Sequence, residues 1–162
     1  AGNGMVGEAL HNLGIRRIVG VDILPEADAA TRRDRPWVYN DYIVADFTEL
    51  SPAQKQHVKE LQCNTLTTVA ALGFGDIPPR AFAEAYNLIT PQGWLCFNIK
   101  EDFLADRDPT GFSGLIHQMV RRGLLQIEAY KRYCHRLNVS GEPLYYIAVA
   151  AQKLGDIPTE MM

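Results

Sequence analysis

The sequence predicts an α/β sandwich built on a mostly parallel sheet that closes with an antiparallel pair. Three observations carry that expectation. Short β-branched runs alternate with helical segments along the chain, the pattern of a parallel sheet covered by helices. The chain opens on AGNGMVGEAL, a glycine-rich turn of the kind that leaves a strand and enters a helix. Near its end, two strand-like runs face each other across NVSGEP, which reads as a hairpin.

The elements follow in order. After the opening turn, MVGEALHNLG reads as a helix. RIVGVDI, Arg17 to Ile23, is a short β-branched run bounded by Gly14 and Pro25. PEADAATRRD begins with proline at a helix-opening position and carries Glu26 in its first turn. DYIVADF, Asp41 to Phe47, is the next strand. Ser51 then caps an exposed helix, PAQKQHVKEL, with Pro52 at its first position. TLTTVAAL, Thr65 to Leu72, is expected to be a buried strand, and PPRAFAEAYNLI a helix closed by Pro91 and Gly93. GWLCFNIK is a further strand. GFSGLIHQMVRRGL is a helix with Phe112, Leu115, Ile116, Met119 and Val120 on one face. LQIEAYKRYCHRL and LYYIAVAAQK form the hairpin, turning around Ser140 and Gly141. The tail, LGDIPTEMM, is expected to be an unpacked end. No internal repeat or low-complexity linker interrupts the pattern.

Composition bounds the function. The 162 residues suffice for one domain with a core, and 47% hydrophobic with 22% charged residues is ordinary for a globular protein. A net charge of -3 supplies no basic field for nucleic acid or an acidic membrane. Cys63, Cys96 and Cys134 form neither a CxxC pair nor an even framework, so no metal site and no secreted disulfide scaffold is indicated. A reducing, cytoplasmic setting fits. No apolar run of about 18 residues exists to span a membrane.

Gly2, Gly4 and Gly7 spell G-x-G-x-x-G. Glycine lets the backbone turn sharply beside a ligand, and the following helix aims free amide groups at it. Such a match is weak by itself, since a plain glycine turn gives the same letters. Asp22 strengthens it. It ends the next strand, where an acid can accept both ribose hydroxyls of an adenosine-containing ligand rather than merely cap the turn before LPEAD. NAD(P) and S-adenosylmethionine both satisfy that pair. Asp46, followed by Phe47, places a second acid at the end of the next strand, suited to an adenine amino group with Phe47 covering the ring. The competing role for Asp46 is to cap the turn into TELSP. No Tyr-x-x-x-Lys pair is present, and neither His57 nor His117 makes a convincing proton relay, which weighs against a dehydrogenase.

The segments AGNGMVGEAL, VGVDILPE, VADFTEL, AALGFGDIPPRAFAEAYNLITPQGWLCFNIKE and SGEPLYYIAVAAQK, in this order and spacing, resemble the class I SAM-dependent methyltransferases over nearly the whole chain. Within that class they resemble the methyltransferase-like group typified by the Williams–Beuren region protein. The resemblance implies a Rossmann-like three-layer sandwich with strand order 3-2-1-4-5-7-6 and strand seven antiparallel. Residues 1–162 would form a single methyltransferase domain. The family motif normally starts with a strand and an acidic residue, so the domain is expected to be N-terminally incomplete, lacking that central first strand. S-adenosylmethionine is the implied cofactor. Ala1, Gly2, Asn3 and Gly4 would hold its methionine part, Asp22 and Ile23 the ribose, and Asp46 and Phe47 the adenine. Ala71 and Leu72 would line the donor pocket near the methionine amino group.

The acceptor is less constrained. LGFGDIPP follows the strand that ends at Leu72, on the side where ligands sit in this fold. Phe74 could stack on a planar substrate. Asp76 could take a proton, although capping the PPRAF helix is the stronger reading, and Lys100 could contact substrate from KEDF, more often a solvated loop. Tyr130, Tyr133 and His135 sit with near-alternate spacing on one strand, more often a half-buried strand face than a catalytic set. With no basic patch and no aromatic platform, a small molecule is expected rather than nucleic acid. No catalytic base, metal ligand or oligomeric state is indicated. The alternatives are an NAD(P)-binding oxidoreductase and a non-catalytic nucleotide-binding module.

Overall fold

The computed structural model describes residues 1–161. The chain divides into two compact units, Ala1–Leu50 and Ser51–Met162.

The first unit runs α1 (Met5–Asn12), β1 (Val19–Asp22), α2 (Pro25–Asp34) and β2 (Asp41–Val44). The two strands are parallel, with Val19 opposite Asp41 and Asp22 opposite Val44. They are shorter than the β-branched runs suggested. The helix α2 has the expected bounds. Pro25 opens it, Glu26 and Asp28 lie in its first turn and Arg32 and Arg33 in its last, each sign matched to the helix dipole. Ile18, Val38, Ile43, Phe47 and Leu50 are the buried apolar residues of this first unit.

The second unit contains α3 (Pro52–Glu60), β3 (Thr65–Leu72), α4 (Pro79–Leu88), β4 (Trp94–Lys100), α5 (Phe112–Arg121), β5 (Leu125–Leu137) and β6 (Pro143–Lys153). Ser51 and Gln54 form a reciprocal capping box at the start of α3. The sheet order is β3-β4-β6-β5. β3 and β4 are parallel, and β6 runs antiparallel to both β4 and β5. At the hairpin turn the Ser140 and Glu142 N–H groups both donate to Asn138 Oδ1, and Gly141 takes φ 82°. The core gathers Phe82, Tyr86, Leu95, Ile99, Phe112, Met119 and Leu125, with Phe82 meeting Phe97 and Phe112 edge-on at 6.2 and 5.7 Å. Buried Lys153 donates to the Tyr86, Asn87 and Ile89 carbonyls, satisfying the C-terminal end of α4, and pairs with Asp156 at 2.7 Å.

Three expectations are corrected. β3 is not a buried strand. It lies at the edge of its sheet, paired on one side by β4, and leaves Val69 42% exposed. Asp76 does not cap α4, whose N-cap is Pro78 without a side-chain bond. The described part of the tail, residues 154–161, is anchored rather than unpacked: Ile157 is 2% exposed within the core cluster, and the Asn87 side chain brackets it by donating to its carbonyl and accepting from its N–H. Among the described residues, no helix is long and apolar enough to cross a membrane.

Candidate functional site

The glycine loop is shaped by its own backbone and fastened by its carbonyls. Gly2 and Gly4 adopt φ 55° and 87°, the left-handed region that glycine occupies without a Cβ penalty. Gly4 N–H donates to the Ala1 carbonyl at 3.2 Å. Thr31 Oγ1 and Tyr42 Oη both donate to the Gly2 carbonyl, at 2.9 and 3.0 Å, and Arg35 donates to that of Asn3 at 3.2 Å while also pairing with Glu8. With its oxygens tied to α2 and β2, the loop leads into α1, whose N-cap Gly4 supplies no side-chain acceptor to the first helical amides. Gly7 serves another purpose. A Cβ there would lie 2.3 Å from Val38 Cγ1, so the glycine allows α1 to pack closely.

Asp22 joins the loop to the end of β1. Its Oδ2 accepts from Gly2 N at 2.8 Å and Ala1 N at 3.0 Å, and its Oδ1 accepts from Leu24 N at 3.1 Å. Burial works to raise the pKa of this carboxyl. Hydrogen bonds to the carboxylate, those from the Gly2 and Leu24 N–H groups first, oppose this, and the group is held below the usual carboxylate range. A carboxylate has roughly four acceptor positions; this one keeps a place for a single further donor on Oδ1. Burial, and then the charge of Asp22, push the Tyr42 phenol well above its ordinary value, so Tyr42 stays a hydrogen-bond donor to the loop. Ile23, beside Asp22, is 56% exposed and presents apolar surface at the strand end. The amide donors, one carboxylate and adjacent apolar surface fit a ligand that carries a carboxylate and a ribose.

At the end of β2, Asp46 Oδ1 accepts from both the N–H and the hydroxyl of Thr48, each at 2.7 Å. Asp46 therefore does cap the turn into TELSP. Phe47 is buried, at 8% exposure.

In the second unit, Ala71 and Leu72 end β3 behind a register break. Thr68 lies opposite Phe97 and Leu72 opposite Ile99, so three residues of β3 face one of β4. Ala70, within the break, takes φ 54°. Its N–H donates to Asn98 Oδ1, and Asn98 Nδ2 donates in turn to Tyr133 Oη at 2.7 Å. Phe74 is exposed and meets Phe103 edge-on at 4.9 Å. A cavity of about 330 Å³ is lined by Ala70, Phe74, Asp76, His135, Arg136 and Tyr146. Lys100 is not among these; it pairs with Asp102.

The sequence reading missed Thr31, Arg35 and Tyr42 behind the loop, and Asn98. No spacing rule marks the first three. Asn98 did leave a signal: it is the one uncharged polar residue in WLCFNIK, and a polar group at a core position needs partners.

With this geometry in view, comparison with known proteins is direct. A model of the methyltransferase domain family matches residues 1–97, more than half of the chain. No curated protein sequence matches. Among solved structures, the chain is similar to a SAM-dependent methyltransferase from Methanosarcina mazei at 17% identity, TM-score 0.65, covering 96% of this chain and 90% of that one. It is similar to an S-adenosylmethionine-dependent methyltransferase from Mesorhizobium loti at 16% identity and TM-score 0.63, covering 94% and 87%. It is also similar to the N-methyltransferase NodS from Bradyrhizobium japonicum in complex with S-adenosyl-l-homocysteine, at 14% identity and TM-score 0.60, covering 93% and 73%. At these identities the likeness is one of fold, Rossmann-like and mostly parallel. The family match removes the dinucleotide alternative, and the chain belongs to the methyltransferase domain family as a class I SAM-dependent methyltransferase.

Proposed function

We propose that this enzyme methylates a small-molecule acceptor, and that residues 1–162 work as one methyltransferase domain. S-adenosylmethionine supplies an electrophilic methyl group on a sulfonium, which leaves the protein to bind, orient and desolvate. In the first unit, the backbone from Ala1 to Gly4 holds the methionine part. Asp22 takes one ribose hydroxyl on Oδ1, with Ile23 as apolar cover, and Asp46 and Phe47 meet the adenine. In the second unit, Ala71 and Leu72 contribute to the donor side, and Phe74, Asp76 and Lys100 to the acceptor side. The narrower resemblance to the Williams–Beuren group belongs to this proposal as well.

The observation that carries the cofactor assignment is the closure of the loop onto β1, with Gly2 N–H 2.8 Å from Asp22 Oδ2. The small-molecule reading is supported by the size of the cavity at Phe74 and Asp76, about 330 Å³, and by a net charge of -3. Two measurements test the proposal. Calorimetric titration should show binding of S-adenosylhomocysteine and none of NADH or NADPH. Incubation of the enzyme with methyl-tritiated S-adenosylmethionine and a cell extract, followed by ultrafiltration, should place label in the small-molecule fraction. Label confined to macromolecules would sink the small-molecule reading.

A further inference from the structure

We propose that the cavity at Ala70 receives a carboxylate group of the methyl acceptor, with His135 and Arg136 as the receiving donors and Asn98 and Tyr133 as positioning residues. The proposal rests on the reading of this cavity as the acceptor side.

The Asn98 amide can point only one way. Asn98, 8% exposed on β4, faces the Ala70 N–H, so its oxygen must be on that side. Its NH2 group then donates to Tyr133 Oη at 2.7 Å. Tyr133 Oη lies 3.2 Å from His135 Nδ1. The proposal gives the Tyr133 hydrogen to Nδ1, which leaves Nε2 as the N–H donor of the imidazole. The ring is held further by Tyr146, whose centroid is 4.3 Å away at 30°. His135 thus offers a fixed N–H donor.

The strand geometry adds the cation. Successive side chains on a regular strand point to opposite faces. His135 and Arg136 nevertheless both line the cavity, and the register of β5 against β6 breaks between Cys134 and Arg136. A bulge of this kind re-aims a side chain, and a second break, at Ala70 in β3, borders the same cavity. Among the described residues, the Arg136 guanidinium has no ion-pair partner. One guanidinium and one N–H donor match a planar, singly charged carboxylate. Asp76 lines the cavity too and repels any anion, a phosphate dianion about twice as strongly as a singly charged carboxylate.

Benzoate and its uncharged counterpart benzamide serve as probes on the full chain labelled with 15N. Long-range 15N–1H spectra resolve the ring nitrogens of the four histidines, with His135 assigned by its loss in His135→Gln. His135 should be the Nε2-protonated tautomer in the wild type, and Tyr133→Phe should let the other tautomer appear. Benzoate should shift the His135 ring and benzamide should not. Arg136→Gln should weaken benzoate binding by about tenfold, the effect of losing one charge-assisted contact, while S-adenosylhomocysteine still binds. A wild-type Nδ1-protonated His135 would overturn the proposal. So would equal shifts from the two probes, or undiminished benzoate binding in Arg136→Gln. In the tritium experiment, labelled product should be retained on an anion exchanger. Label only in unretained small molecules would overturn the carboxylate assignment and leave the small-molecule reading standing, whereas label only in macromolecules defeats that reading and the proposal with it.

Discussion

The glycine loop of the first unit and the bulge of the second both hold backbone in the left-handed region, and they do it by different means. Gly2 and Gly4 reach φ 55° and 87° at no steric cost, and Thr31, Arg35 and Tyr42 then fasten the loop carbonyls. Ala70 reaches φ 54° with a Cβ, and its N–H, displaced from the ladder by the bulge, is taken by Asn98. In the loop, residue type sets the shape and side chains secure it. In the bulge, a side chain from the neighbouring strand sets the shape against the preference of the residue. Loss of the supporting side chain should therefore cost more in the bulge than in the loop.

Asn98→Ala tests the heavier dependence. It removes the acceptor of the Ala70 N–H and the donor to Tyr133 together, leaving partly buried groups unsatisfied. Urea denaturation should show a loss of about 2–4 kcal/mol. A loss below about 0.5 kcal/mol would mean that the bulge supports itself, and the contrast with the loop would fall.

In the loop, Asp22→Ala should weaken S-adenosylhomocysteine binding by about 1–3 kcal/mol. Part of that is the ribose contact and part is the loss of the tie between Gly2 and β1. Unchanged affinity in calorimetry would remove Asp22 from the cofactor site. The pH dependence follows from the sign of the shift. The folded pKa of Asp22 is lowered, so its contribution is complete above the unfolded value of about 3.9 and is lost only as pH falls through the lower folded value. Affinity should stay level from pH 7 to about pH 5, with no Asp22-linked loss until the solution is more acid than the ordinary aspartate range. An Asp22-dependent decline already at pH 6, absent from Asp22→Ala, would contradict the shift.

Asp46→Asn should have a smaller effect, under about 1 kcal/mol in affinity, because an amide oxygen still accepts from Thr48 and from an adenine amino group. A larger loss than that of Asp22→Ala would reverse the two roles. Lowered stability with affinity intact would leave Asp46 as a turn cap only.

The same contrast explains what the sequence made legible. A glycine that must occupy positive φ announces itself, so the loop and the acid at the end of β1 could be read from G-x-G-x-x-G and Asp22. The helices α2 and α3 announced themselves through Pro25, Ser51 and Pro52, because caps are local chemistry. The bulge in β3 left no such mark. TLTTVAAL is a plausible regular strand, and the residue that bends it stands on another strand, at Asn98. Ile157 was missed for a related reason. A single isoleucine between Asp156 and Pro158 has no periodicity, and its burial depends on the distant Asn87. Contacts of this kind are tertiary, and propensity does not carry them.

The smallest expected effect separates strain from support. An alanine in the left-handed region costs about 1–2 kcal/mol, while glycine costs about 0.5–1 kcal/mol more than alanine in backbone entropy. Ala70→Gly should therefore lie within about 0.5–1 kcal/mol of wild type, on the stabilising side. The informative quantity is its dependence on Asn98. If the Asn98 amide holds Ala70 in place, removing that amide lets the backbone relax, and glycine then has little strain left to relieve. The gain from Ala70→Gly should shrink toward zero, or change sign, in the Asn98→Ala background, a non-additivity that a double-mutant cycle reads directly. Equal gains in the two backgrounds would show that the strand itself imposes the left-handed turn at Ala70. The bulge would then resemble the glycine loop, shaped by its own backbone with side chains only fastening it.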